Sequence, residues 1–232
     1  MKAMILAAGK GERMRPLTET CPKPMLKVNG KPLLEHHIIQ LKNAGITDIV
    51  INHAWYGEVI VDYFGNGQAW QVSIEYSAEA VGELETAGGI IKALPLLDDE
   101  PFVLVNGDVY CQLDYQQLPQ MLSGLAHLCL VENPEHNLTG DFGLNDQRVM
   151  LPSDASDATY TYSGIAVLSP SLFKDYLNHH GPLPLGPLLK AASEQGLVSG
   201  QLIDHHWTDV GTPERLALLN QQLQQNQQQA EK

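Results

Sequence analysis

The chain has 232 residues, 44% of them apolar and 18% charged, which excludes a disordered or fibrous protein and suits one globular domain. Its net charge of −13 argues against nucleic acid or an anionic membrane as a partner. No apolar run approaches the roughly 18 residues of a membrane span, and Cys21, Cys111 and Cys129 form no CxxC pair, so neither a disulfide framework nor a zinc knuckle is indicated.

The apolar start ends after six residues, too short for a secretory signal, and a soluble cytoplasmic protein is the expectation. The charge is uneven. Residues 1–47 hold eight Lys/Arg against three Glu, whereas the remainder holds six against 24. A basic opening in an acidic chain suits a local anion site, and equally an accident of a solvated face.

In chain order, residues 2–7 read as a short apolar strand that breaks into a Gly-rich basic loop at 8–16. Pro32 opens a helix whose Leu34, Ile38 and Leu41 share one face, and Asn43-Ala44-Gly45 ends it. A buried-type strand at 48–52 precedes a helix at 56–64, a strand at 72–76, a helix at 86–97 and a strand at 102–106. Strand and helix alternating at this spacing predict βαβ units and a parallel sheet. Residues 125–168 change character, with β-like runs at 127–131 and 160–168 and little helix. Helices follow at 185–194 and 213–225. The last thirteen residues contain seven Gln and read as a fraying polar tail. The expectation is therefore an α/β protein: a Rossmann-like, mostly parallel sheet flanked by helices, with a small antiparallel insertion. Residues 1–220 form the single domain and residues 221–232 the Gln-rich tail.

Three segments carry chemistry. In the first loop, Gly9 and Gly11 let successive backbone N–H groups approach an anion, and Ala8, Glu12, Arg13 and Arg15 surround them. Arg13 offers a bidentate grip on phosphate, and flanking prolines restrain Lys23 in Pro22-Lys23-Pro24. An ordinary strand-to-helix turn remains open for this loop. A dinucleotide fingerprint fails because position 14 is Met, and a P-loop fails because Gly30-Lys31 is followed by Pro32. In the second segment, Asn106-Gly107-Asp108 ends an apolar strand, and the carboxyl edge of such a sheet is where ligands bind. Asp108 also suits a turn or a helix N-cap. In the third, Asp209 precedes Thr212-Pro213, a helix start. Two carboxylates brought together there would repel each other, whereas one Mg²⁺ shared with phosphate oxygens would hold both.

The paired histidines His36-His37, His179-His180 and His205-His206 read as solvated or packing residues, and Glu83 and Glu85 as solvated charges. No H-E-x-x-H or G-x-S-x-G motif is present.

Together, Leu6-Ala7-Ala8-Gly9-Lys10-Gly11-Glu12-Arg13-Met14-Arg15-Pro16 and Pro22-Lys23-Pro24 resemble the opening of the sugar-1-phosphate nucleotidyltransferases. Leu84-Glu85-Thr86-Ala87-Gly88-Gly89 is similar to that family's nucleobase segment. Asn106-Gly107-Asp108 and Asp209-Val210-Gly211-Thr212-Pro213 resemble its two metal-ligand segments. The resemblance spans residues 4–216 and implies the nucleotide-diphospho-sugar transferase fold. It also implies Mg²⁺-dependent transfer of a nucleotidyl group from an NTP to a sugar 1-phosphate. Ile51-Asn52-His53-Ala54-Trp55, Gly140-Asp141-Phe142 and the segment around Trp207 are similar to uridylyl-transferring members and favour UTP.

By this resemblance Arg13 holds the leaving pyrophosphate, Lys23 the α-phosphate region, and Ala8, Gly9, Gly11 and Glu12 the triphosphate. Thr86 and Gly88 face the base and Asn106 the ribose or a nearby phosphate. Asp141 and Gly164 line the sugar pocket, and Asp108 and Asp209 hold Mg²⁺. Many members carry a Glu-Lys-Pro whose Lys meets the sugar phosphate, and this chain has none. Guanylyl-, thymidylyl- and cytidylyl-transferring members share the other motifs. Two further classes fit less well: a nucleotide-sugar binding module would lack one of the four charged residues, and a glycosyltransferase would carry Asp-x-Asp at 106–108. Nothing in the sequence specifies an oligomeric state.

Overall fold

In the computed structural model, which describes residues 1–82, 84–154 and 157–230, the first apolar run forms strand β1 (Ala3–Ala7). After the basic loop, a short hairpin of β2 (Lys27–Val28) and β3 (Lys31–Pro32) leads into helix α1 (Leu33–Asn43). Pro32 is not the first helical residue, as expected, but the extended residue before it, with ψ 144°. Leu33 N–H reaches back to Leu26 O at 3.0 Å, which holds Pro32 in the hairpin and starts the helix one residue later. Leu34, Ile38 and Leu41 are fully buried on one face of α1.

The chain then forms β4 (Asp48–His53), α2 (Gly57–Phe64) and β5 (Ser73–Ala78), moving outward from β1 in parallel. Helix α3 (Glu85–Leu97) carries it back across the sheet, and β6 (Phe102–Asn106) pairs with the opposite side of β1. The order β5-β4-β1-β6 thus reverses direction between β1 and β6. Such a reversal opens a crevice at the carboxyl ends of the strands.

Beyond β6 come a short β7 (Val109–Cys111), then β8 (Ala126–Val131), β9 (Gly143–Asn145), β10 (Arg148–Met150) and β11 (Thr161–Leu168). Helix α4 (Leu185–Glu194), β12 (Val198–Leu202), β13 (Trp207–Asp209) and α5 (Pro213–Ala230) complete the chain. β11 inserts antiparallel between β6 and β8, β12 runs parallel to β8, and the β10–β9 hairpin extends the far edge. β7 and β13 leave the main sheet as an antiparallel ribbon of their own.

Alternating side chains fill both faces. Ile5, Ile51, Val105 and Ile165 pack toward Ile38 of α1 and Ile60 of α2. Met4, Val50, Leu104 and Ala166 pack toward Ile90 of α3 and Leu189 of α4. Strands covered on both faces read as unbroken apolar runs, which is why the sequence shows them. Burying each Ile or Leu contributes about 1.5–3 kcal/mol. A third cluster, including Met14, Val28, Leu33, Val210 and Leu219, seats α5 against the β2–β3 hairpin. Helix α5 continues through Ala230 instead of ending at 225, because Gln is a good helix former. Among the described residues no helix is long and apolar enough to cross a membrane.

Candidate active site

The crevice between β1 and β6 is a cleft of about 600 Å³, within the usual range for a small-ligand site. The basic loop, the carboxyl ends of the central strands and the start of α3 line it.

The loop after β1 makes one wall, formed by Ala8, Gly9, Lys10, Gly11, Glu12 and Arg13. Gly11 has φ +62°, and a Cβ there would stand 3.0 Å from Thr18 Cγ2 and 3.1 Å from Lys23 Cβ. Only glycine meets both demands. Thr18 Oγ1 donates to Gly11 O at 2.7 Å, and Trp55 Nε1–H donates to Thr18 O at 2.9 Å. The wall is therefore fixed from behind by Thr18, which is itself held by Trp55 from 37 residues further along the chain. Arg13 is exposed at its rim and has no carboxylate partner among the described residues.

Opposite stand Lys23, Asn106 and Asp108. The Lys23 ammonium, almost wholly buried, donates to Asp108 Oδ2 at 2.7 Å. Gly107 N–H donates to Leu6 O at 2.9 Å, which carries the β1–β6 pairing into the turn bearing Asp108.

Asp209 stands behind this wall, outside the cleft lining, although its neighbour Gly211 lines it. It pairs in register with Val109, and Val210 N–H donates to Asp108 O at 3.0 Å. The β7–β13 ribbon thus brings the two aspartates onto adjoining segments. Asp209 Oδ2 accepts from Arg215 Nη1 at 2.7 Å, with His136 Nε2 at 3.5 Å. Among the described residues, the Oδ1 atoms of both aspartates have no partner. Two hard oxygen donors completed by phosphate oxygens and water suit Mg²⁺. Among the described residues no cluster of three or more His, Cys, Asp or Glu is placed to hold a metal alone. The donor set therefore fits a metal that arrives with a phosphate ligand.

The far end of the cleft holds Thr86 together with residues the sequence reading did not select. Asn52 stitches three strand ends together: Oδ1 accepts Ala7 N–H at 2.8 Å, and Nδ2 donates to Glu79 Oε1 at 2.7 Å. Burial raises the Glu79 carboxyl above its ordinary pKa, an effect opposed by the Asn52 hydrogen bond and the Lys92 charge. The signal for both was their position at the carboxyl ends of parallel strands. Glu85, read as a solvated charge, lines the cleft and opens α3 with φ +57°. That backbone region costs a non-glycine residue about 1–2 kcal/mol. Glu83 lies outside the described residues.

Three expected contacts fall elsewhere. Gly88 lies within α3, outside the lining, with its N–H on Leu183 O at 3.2 Å. Asp141 does not reach the cleft: Oδ2 accepts Tyr162 N–H at 2.8 Å and Oδ1 accepts Asn137 Nδ2–H at 3.3 Å. It fastens the 133–141 segment to β11. Gly164 supports the site from behind, since with φ +82° a Cβ would stand 2.7 Å from Asn106 Nδ2.

An anion-binding loop and a buried lysine paired with a carboxylate around one crevice, with a second carboxylate on the adjoining segment behind it, are the parts needed to position a nucleoside triphosphate. The family model described as nucleotidyl transferase matches residues 2–226. The chain belongs to that family. It is 50% identical over 221 residues to the N-acetylmuramate alpha-1-phosphate uridylyltransferase of Neisseria meningitidis serogroup B, covering 93% of this chain and 95% of that one. A protein of the same name from Caulobacter vibrioides is 31% identical over 228 residues, covering 91% and 92%. A solved structure from Bacillus anthracis, assigned as a glucose-1-phosphate thymidylyltransferase and holding sucrose, superposes with a TM-score of 0.82 at 22% identity, covering 95% and 94%. The fold is the nucleotide-diphospho-sugar transferase fold expected from the sequence.

Proposed function

We propose that the chain transfers a uridylyl group from UTP to N-acetylmuramate α-1-phosphate, giving UDP-N-acetylmuramate and pyrophosphate, in the cytoplasm and in the service of cell-wall recycling. One observation carries this reading. The phosphate loop and the Lys23–Asp108 pair meet in one cleft, in a chain half identical to a relative of that name.

A sugar 1-phosphate oxygen attacks the α-phosphorus in line, the bond from that phosphorus to the bridging β-phosphate oxygen breaks, and pyrophosphate leaves. The attacking monoester is already anionic, so no general base is required. The barrier is charge repulsion, and catalysis is positioning plus electrostatic stabilisation. Backbone N–H groups from Ala8 to Glu12 cradle the triphosphate, and Arg13 neutralises the departing pyrophosphate. Lys23 turns from Asp108 toward the α-phosphate. Thr86 faces the base and Asn106 the ribose or its phosphate. Mg²⁺ held by Asp108 and Asp209 supplies further neutralisation of the triphosphate charge.

The test is pyrophosphate release with Mg²⁺, crossing four NTPs with muramate-type, glucosamine-type, glucose and mannose 1-phosphates. Release with UTP and N-acetylmuramate 1-phosphate alone is the expected result. Release with another pair keeps the chemistry and changes the substrate. A folded protein that releases pyrophosphate with none overturns the reading.

A further inference from the structure

We propose that His37 is a positioning residue for the carboxylate pair: from inside α1 it holds the outer edge of β7 and so fixes the ribbon that carries Asp108 and Asp209. This inference rests on the proposed reaction, in which both aspartates serve the metal–triphosphate.

A two-stranded ribbon is marginally stable by itself. Here its inner edge is paired, with Val210 N–H on Asp108 O at 3.0 Å and Gln112 N–H on His206 O at 3.0 Å. Antiparallel geometry then turns the carbonyls of Val109 and Cys111 away from β13. No strand among the described residues meets them. Instead His37 Nε2–H donates to Val109 O at 2.8 Å, and Gln40 Nε2–H donates to Cys111 O at 2.7 Å. Residues three apart share a helix face, so α1 replaces the missing strand with two side chains.

The histidine is held as firmly as the carbonyl it holds. Its ring is fully buried, and burial lowers its pKa to about 4, with the Val109 hydrogen bond and Asp108 opposing the shift and His36 adding to it. The ring is therefore neutral. A carbonyl only accepts, so Nε2 carries the proton, and Nδ1 accepts from the Tyr115 hydroxyl at 3.3 Å. The Val109 carbonyl sets the tautomer, Tyr115 holds the other ring nitrogen, and Val109 lies between Asp108 in the chain and Asp209 across the ribbon. Leucine would fill the same space without fixing anything.

The experiment compares wild type with His37→Leu, His37→Gln, Tyr115→Phe and Ser193→Ala. The last removes an equivalent buried bond, Ser193 Oγ–H to Val149 O at 2.9 Å, remote from the cleft. Two readouts are taken: kinetics with Mg–UTP and sugar 1-phosphate varied separately, and the rise in Tm on adding Mg²⁺ with UTP. His37→Leu should lower kcat/KM for Mg–UTP roughly 10- to 100-fold, the usual scale for partners that orient metal ligands. The KM for sugar 1-phosphate should stay put and the ligand-induced Tm rise should shrink. His37→Gln, whose amide can donate to the same carbonyl, should recover most of the loss. Ser193→Ala should lower Tm with kinetics unchanged. A folded His37→Leu with wild-type Mg–UTP kinetics and an undiminished Tm rise overturns the proposal. If His37→Leu does not fold, Tyr115→Phe decides by the same two readouts. A wild type that turns over no substrate pair counts against the reaction instead, because the Tm rise tests His37 without turnover.

Discussion

Lys23 and Asp108 form an ion pair of unequal burial: the lysine side chain is 9% exposed, its partner 38%, and Nζ and Oδ2 are 2.7 Å apart. The aspartate faces the cleft, while the lysine depends on it for charge compensation. Removing one partner of such a pair leaves an uncompensated charge, which is the costly outcome. Asp108→Asn should therefore lower both turnover and stability, with a roughly 10³-fold fall in kcat/KM through loss of the proposed metal ligand. Adding Lys23→Met should recover part of the lost Tm and none of the turnover, because the two residues interact directly. Tm and pyrophosphate release across the four members of the cycle check this. Near-normal turnover in Asp108→Asn would remove Asp108 from the metal site.

Arg13 is the opposite case. It is exposed at the rim of the cleft and has no carboxylate partner among the described residues, so the free protein gains little from its charge. Arg13→Lys should leave Tm nearly unchanged, as surface substitutions usually do within about 0.5 kcal/mol. It keeps the charge and loses the planar fork that matches phosphate. The expected result is a fall of at least about tenfold in kcat/KM, the equivalent of one 1.4 kcal/mol interaction. A Lys variant as active as wild type would make Arg13 a solvated charge.

Asp141 tests the line between sugar contact and scaffold. Its two oxygens accept from Tyr162 N–H and Asn137 Nδ2–H. In Asp141→Asn one oxygen becomes an amide that meets the Asn137 amide donor to donor. Loss of about 1–3 kcal/mol is expected from a broken, part-buried hydrogen bond, read as a lower denaturation midpoint. The KM for sugar 1-phosphate should remain near wild type once the folded fraction is accounted for. A selective rise in that KM without loss of stability would return Asp141 to the sugar pocket.

How far the sequence reached follows from where its information lies. Phe102–Asn106 is readable because an apolar run covered on both faces stops at Gly107-Asp108. The residues at 8–13, Lys23, Asn106 and Asp108 are readable because contiguous motifs and strand ends announce them. The β7–β13 ribbon is not, since two three-residue strands show no periodicity. Gly88, Asp141 and Gly164 act through Leu183, Tyr162 and Asn106, and distance along the chain hides all three partners. Tyr162 lies 21 residues from Asp141, and Asn106 lies on another strand from Gly164 altogether. His37 is a packing histidine, one of the two readings the sequence left open, but its role at Val109 is hidden because that carbonyl is 72 residues away.

Glu79 gives a pH-dependent prediction with a definite sign. Burial in the cleft raises its folded-state pKa above the ordinary 4.5, against the opposing Asn52 hydrogen bond and Lys92 charge. A raised acid means that the folded protein binds this proton more readily than the unfolded chain. Stability therefore falls as pH rises from about 4.5 through the folded value, and the loss persists at neutral pH. Glu79→Gln never ionises, and its Oε1 still accepts the Asn52 amide hydrogen bond. The variant should melt above wild type near neutral pH, and the gap should close as the buffer is taken down toward the carboxylate range. Thermal denaturation at several pH values measures it. A gap that stays constant with pH, or a variant that melts lower near neutral pH, would show that the carboxylate is stabilised where it stands, by contacts stronger than its desolvation.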